Sequence, residues 1–303
     1  MEGDGSIRGH AGDVLNSYLG DYGRETQMFA LRQRDSDELI DIATLGAVGP
    51  SIYLAVSPDL ALAMNYKTRS LLVSLFFAQG LLVQAREIEF GGYTWTVRSG
   101  HGGPGPNAWD ENNVWLDSTT NLHLKISSHD GKWSCSEITM RKRLGFGRYR
   151  FQTIGQLDRL DDNVVLGLFN YPTGDVGSDG THEIDIEFAR WGNAKNPMGN
   201  YTVWPAEKGL RQMSKSFPFT LTDDTSTHFF TWSPTEIRFV STQGHRNDGK
   251  EEFGTWVYAP EEAPRHISQQ PMPIHINLWL FKGLPPKNGQ EVEVIIRDFK
   301  FTP

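Results

Sequence analysis

The sequence predicts an all-β sandwich or jelly roll, on three observations. Apolar and polar residues alternate with period two in several short runs. Clusters of glycine, proline, asparagine and aspartate separate those runs. The 303 residues include 31 glycines, 16 prolines, 9 tryptophans, 9 tyrosines and 17 phenylalanines. That loop-rich, aromatic composition is foreign to helical bundles and to disordered chains.

The strands can be taken in order. Leu122, Leu124 and Ile126 alternate with His123, Lys125 and Ser127. Tyr149 and Phe151 alternate with Arg148 and Arg150. Each run places its apolar members on one face of a strand. Another run starts at Glu291-Val292-Glu293-Val294, and Phe299 and Phe301 end it on a shifted register, which predicts a bulge near residues 295–297. Turn clusters fall at 102–106, 172–174, 177–180 and 247–249. No repeat of fixed period and no low-complexity tract is present.

Charge and cysteine content narrow the function. Asp and Glu number 37 against 29 Lys and Arg, a net charge of -8. Such a chain is poorly suited to tracking phosphates, so no nucleic-acid partner is expected. The single cysteine, Cys135, excludes an internal disulfide and a cysteine-based zinc site. It reads as a small buried strand residue.

The N-terminal third differs from the rest. Residues 1–63 hold ten acidic residues, four arginines, no lysine and no tryptophan. Little packed structure is expected there beyond a weak helix over 35–45. Residues 64–85 follow a methionine with Lys67 and Arg69, then an apolar run from Leu71 to Val83, then Val83-Gln84-Ala85. This is the layout of a signal peptide. The run is shorter than the ~20 apolar residues of a membrane span. The expectation is therefore that translation starts at Met64 and that 1–63 is an over-extended reading. The exported domain is expected to be 86–303, secreted or periplasmic, monomeric and without a stable membrane anchor.

Within 86–303 the most informative segment is His182-Glu183-Ile184-Asp185-Ile186-Glu187-Phe188. On a strand, Ile184, Ile186 and Phe188 share one face, and Glu183, Asp185 and Glu187 share the other. The apolar set faces a core, so the acids face away from it. Three crowded carboxylates repel one another, and at least one pKa is expected to rise. A glycosidase needs one ionised and one protonated carboxyl group. The α-carbons of Glu183 and Glu187 should lie about 13 Å apart at ~3.3 Å per residue. Inward-leaning side chains could close the carboxyl gap to the ~5–5.5 Å of a retaining enzyme. An acidic edge strand or a cation site has the same spacing. His182-Glu183 is not a zincin motif, because position 186 is Ile186.

The ordered motifs resemble glycoside hydrolase family 16. Glu183-Ile184-Asp185-Ile186-Glu187-Phe188 resembles the uninterrupted active-site strand of its lichenase-like and xyloglucan-active members. Trp109-Asp110-Glu111-Asn112-Asn113-Val114, Ser136-Glu137, Leu144-Gly145-Phe146-Gly147-Arg148-Tyr149, Leu168-Phe169-Asn170-Tyr171, Thr231-Trp232 and Ile276-Asn277-Leu278-Trp279 resemble further strands of that family. The resemblance covers most of 86–303 and none of 1–63. It departs from lichenases at Thr181, His182 and Thr139, where those enzymes commonly carry an aromatic residue, an acid and an arginine.

The resemblance implies a β-jelly-roll sandwich of two antiparallel sheets with a substrate cleft on the concave face. It implies a retaining endo-glycosidase of β-linked polysaccharide, with a β-1,3/1,4-glucan as the foremost substrate. Glu183 would be the nucleophile, Asp185 its assistant and Glu187 the general acid/base. Sugar rings offer apolar C–H faces, so Trp109, Phe169, Tyr171, Trp191 and Trp279 are candidate platforms. Glu137, Asn200 and Asn277 are candidate hydroxyl partners. Each aromatic suits core packing as well. No cofactor is required, and Asp298 stands where some family members place a structural calcium ligand. A non-catalytic glycan-binding jelly roll and a transglycosylase are the alternative functions.

Overall fold

The computed structural model describes residues 85–303 other than 247 and 249, with the backbone of three upstream strands. The chain divides into two compact units, residues 1–84 and 85–303. In the first, β1 (Thr26–Arg32), β2 (Leu39–Val48) and β3 (Ser51–Ala55) form an antiparallel sheet in that order. Of the helix expected over 35–45, residues 39–45 are strand. Ile40, Ile42 and Thr44 recur at intervals of two, and β-branched residues at that spacing favour a strand. Apart from Ala85, the signal-like segment lies outside the described residues, as does most of 1–63.

The second unit is a jelly-roll sandwich. Its early strands are β4 (Glu87–Phe90), β5 (Tyr93–Val97), β6 (Gly100–Gly102), β7 (Asn107–Trp109), β8 (Val114–Leu116) and β9 (Leu122–His129). They are followed by β10 (Lys132–Ser134), β11 (Ser136–Met140), β12 (Gly147–Ile154), β13 (Val164–Asn170), β14 (Ile184–Ala189) and β15 (Gly199–Val203). The last are β16 (Met213–Phe217), β17 (Thr225–Trp232), β18 (Ile237–Gln243), β19 (Glu252–Tyr258), β20 (Ile274–Leu280) and β21 (Val292–Thr302).

Two eight-stranded sheets result. One runs β16-β15-β14-β13-β20-β11-β5-β4, and the other runs β10-β9-β21-β12-β17-β18-β19 with β8 paired to β9. The late strands β20 and β21 occupy interior places in the two sheets, so the chain ends woven into both. All pairings between named strands are antiparallel. Among the described residues the only α-helix is the single turn Ala263–His266, and no helix is long and apolar enough to cross a membrane.

Alternation builds the core as expected. Leu122, Leu124, Ile126, Tyr149 and Phe151 are fully buried. The bulge falls where the shifted register predicts it: Gln152 pairs with Asp298 and Thr153 with Ile296, leaving Arg297 as the extra residue. The sheets meet through aromatic pairs. Tyr201 stacks on Phe239 at 4.8 Å, Phe188 lies 4.7 Å from His228, and Trp95 meets Phe299 edge-on at 5.6 Å.

A polar seam crosses this core. The Tyr201 hydroxyl donates to Ser241 Oγ at 2.7 Å, and Ser241 Oγ pairs with His228 Nδ1 at 2.9 Å. His228 Nε2 meets Ser226 Oγ at 2.9 Å, and Ser226 Oγ meets Thr153 Oγ1 at 2.7 Å. Burial pushes His228 down to about 3, so its imidazole is neutral. Cys135 is buried as expected, and burial pushes its thiol up to about 12.

Candidate active site

The apolar residues of β14 dictate where its acids go. Ile184, Ile186 and Phe188 are fully buried in the core. Asp185 and Glu187, with Glu183 just before the strand, therefore turn to the opposite face of the sheet. Residues opposed across a sheet share a face, so the register assembles the rest. Glu187 pairs with Asn200 on one side and Gly167 on the other; Gly167 pairs with Asn277, and Asn277 with Glu137. The neighbouring row joins Thr202, Asp185, Phe169, His275 and Thr139. Together these rows floor a cleft of about 820 Å³. Its size matches the ~300–1,000 Å³ of ligand pockets.

The backbone is held in unusual form at both ends of β14. His182, one residue before Glu183, has φ 65°, and Trp191, two residues past the strand, has φ 54°. Left-handed backbone at a non-glycine residue costs about 1–3 kcal/mol and gathers at functional sites. The turn at Trp191 leaves its ring lining the cleft, 6.3 Å from Trp279 and 5.6 Å from Phe281. His182 bonds Ser268 Oγ at 3.0 Å, so it serves as a structural neighbour.

The electrostatics separate the carboxyl groups. Burial pushes Glu183 up to about 7, aided by the charge of Asp179 and opposed by a hydrogen bond from Asp185. Burial also raises Asp185 well above the usual carboxylate range, and the charges of Glu183 and Glu187 raise it further. Asp185 thus keeps a proton and donates it toward Glu183, while Trp204 Nε1 donates to Asp185 Oδ2 at 3.1 Å. Burial and the charge of Glu183 push Glu187 up to about 8. Glu137 behaves in the opposite way. Burial raises it, but His275, the Arg98 guanidinium at 3.0 Å and the Asn277 amide at 3.3 Å outweigh that and hold it below the ordinary range. Beside the charges of Glu137 and Asp179, the cleft therefore contains three carboxyl groups that share protons near neutrality.

Of the residues expected from sequence, Glu183, Asp185, Glu187, Glu137, Phe169, Tyr171, Trp191, Asn200, Asn277 and Trp279 all line this cleft. Tyr171 donates to Asp179 Oδ1 at 2.9 Å. Asn200 is committed internally: its amide donates to the carbonyls of Ala189 and Met198, and Ser216 donates to its Oδ1. Asn277 Oδ1 is buried without a partner beside the cleft, free to accept from a ligand hydroxyl.

Two expectations need correction. Trp109 is not a platform; it is 4% exposed in β7, outside the cleft lining, with its indole N–H bonded to Gly102 O at 3.0 Å. Arg98 covers its ring at 4.2 Å, so Trp109 supports a cleft residue from behind. Asp298 is paired with Arg150, and no group of three or more His, Cys, Asp or Glu able to hold a metal exists among the described residues. The carboxylate named as a calcium ligand already has a cationic partner.

The sequence reading missed Trp204, His275 and Arg98. Trp204 continues the alternation Asn200, Thr202, and His275 precedes Asn277 and Trp279 by the same period, so extending those runs would have found both. His275 stacks on Phe169 at 5.2 Å. Arg98 follows no comparable pattern.

The fold and the cleft define the class: a two-sheet β-jelly roll with a carboxyl-lined cleft on one sheet. Neither a protein-family model nor a curated protein matches the sequence. Solved structures do. A β-glucanase of Bacillus licheniformis is 22% identical, with TM-score 0.52, over 72% of this chain and 98% of that one. A glycoside hydrolase family 16 endo-glucanase of Bacteroides ovatus is 14% identical, with TM-score 0.52, over 69% and 94%. A Mycobacterium tuberculosis antigen described as a pseudo β-1,3-glucanase is 19% identical, with TM-score 0.51, over 67% and 88%. The particular fold is thus a family 16-like β-jelly roll.

Proposed function

We propose that residues 85–303 form a retaining endo-glycosidase that hydrolyses a β-linked polysaccharide, foremost a β-1,3/1,4-glucan, by double displacement. One observation carries this reading. Three carboxyl groups from alternate positions of one chain segment share a single cleft and hold protons among them at neutral pH. A protein that merely binds neutral sugars has no need of that arrangement.

The steps follow from the surroundings of each group. Glu187, protonated up to about 8, gives its proton to the glycosidic oxygen. Glu183, assisted in its ionised form by the Asp185 hydrogen bond, attacks the anomeric carbon as the C–O bond breaks. Glu187, now a carboxylate, takes a proton from water. That water displaces Glu183 and leaves the configuration retained. Phe169, Tyr171, Trp191 and Trp279 supply apolar faces for sugar rings. Export through the signal-like segment 64–85 would bring this chemistry to extracellular polymers.

A glycan-binding jelly roll without turnover is the second reading, favoured by the pseudo-glucanase among the similar folds. Reducing-sugar release on lichenan, laminarin, xyloglucan, agarose and carrageenan separates the two. Glu183→Ala should lose about a thousandfold or more in turnover and regain activity with added azide or formate. Unaided turnover by that variant near the wild-type rate would remove Glu183 from the mechanism. No release from any of the polymers favours the binding module.

A further inference from the structure

On the sheet that does not carry the cleft, Arg148, Arg150, Phe229, Lys300 and Thr302 line a second hollow, of about 310 Å³. Strand alternation places them there. Tyr149, Phe151, Phe230 and Phe299 are buried in the core, so their neighbours along β12, β17 and β21 face outward. Arg150 stands directly opposite Lys300 on one side and Phe229 on the other, and Arg148 stands opposite Thr302. Like charges directly opposed weaken a strand pair, and the chain as a whole carries a net charge of -8. Three cations are gathered here against both tendencies.

The hollow also has internal order. Arg148 lies over the Phe229 ring at 4.0 Å, and Phe229 is only 2% exposed although it is outside the main core cluster. Arg148 is exposed, so its guanidinium stays open to solvent while its centre sits over the ring. Arg150 is paired with Asp298, so a guanidinium–carboxylate contact already exists at the rim. Among the described residues, neither Arg148 nor Lys300 pairs with a carboxylate.

We propose that this hollow binds carboxylate groups of an acidic, uronate-bearing polysaccharide, at a site separate from the cleft. The planar guanidinium fork matches a planar carboxylate. The α-carbons that carry the cations stand ~7 Å apart along a strand and ~5 Å apart across strands. A glycan with a carboxylate on every ring presents charges at comparable intervals. Duplex DNA carries a charge every ~1.7 Å, a density three cations cannot follow, and the net negative charge opposes its approach.

The test uses the full chain in affinity electrophoresis through gels containing polygalacturonate, at low and high salt. Wild type should be retarded, less so at high salt. Arg148→Ala/Lys300→Ala should weaken the interaction at least about tenfold. Lys300→Glu, at an exposed position, should reproduce the loss and serves if the double variant misfolds. Absence of retardation overturns the proposal, as does equal retardation of wild type and Lys300→Glu. Stronger retardation by dextran sulfate or single-stranded DNA overturns the carboxylate assignment. Binding is read without turnover, so its failure and that of the glycosidase reading are distinguishable.

Discussion

Asp185 holds the proton whose hydrogen bond steadies the Glu183 carboxylate. It is 3% exposed, bonded to Glu183 and capped by the indole N–H of Trp204. The productive form needs Glu183 ionised and Glu187 protonated. With Glu183 at about 7 and Glu187 at about 8, kcat/KM should rise through the first value and fall through the second. Trp204→Phe removes a donor worth about 1 kcal/mol. Asp185 then gives its proton less readily to Glu183, and the carboxylate form of Glu183 is less favoured. The acid limb should move up by roughly half a unit, with kcat/KM at pH 6 falling about threefold. An unchanged pH–rate profile in a folded Trp204→Phe protein would remove Trp204 from this chain of effects. Alternation from Asn200 and Thr202 places Trp204 on the cleft face, but its bond to Asp185 comes from outside that strand and only the folded register reveals it.

At the level of strands, β14 works because β13 makes room beside it. Gly167 lies between Glu187 and Asn277, and a methyl group there would come 2.4 Å from Asn277 Oδ1 and 3.3 Å from the Phe169 ring. Asn277 is 2% exposed and bonded to Glu137, so it has little freedom to retreat. Gly167→Ala should cost about 1–3 kcal/mol by overpacking and lower kcat/KM by about tenfold or more as Asn277 is displaced. A denaturant melt and steady-state rates on a soluble β-glucan check both parts; unchanged values in both would show that the gap has no function. The three acids were legible from sequence because three apolar residues on alternate positions leave no other register. Trp109 was misread for a related reason: alternation says which face an aromatic occupies but not whether a loop or ribbon covers that face. The Gly167 gap was invisible, since it depends on what stands one strand away.

For the whole molecule, the sandwich, its bulge and the cleft lie within residues 85–303, where periodicity is strong. The order of strands was not legible, because β20 and β21 reach interior places that local patterns do not encode. The boundary of the second unit at Ala85 stands beside the small-residue exit of the signal-like segment. Protein recovered from the medium of an expressing host should therefore begin near Arg86 on N-terminal sequencing. Peptides from 1–63 in that material would remove the export reading. The seam of hydroxyls and imidazole from Thr153 through Ser226, His228 and Ser241 to Tyr201 has its own consequence. Grease alone lets two layers slide past one another at little penalty; four of these groups lie on one sheet, and the Tyr201 hydroxyl reaches them from the other through Ser241. That bond acts as a key cut into the interior, pinning the layer that bears the acids to its mate at one fixed point.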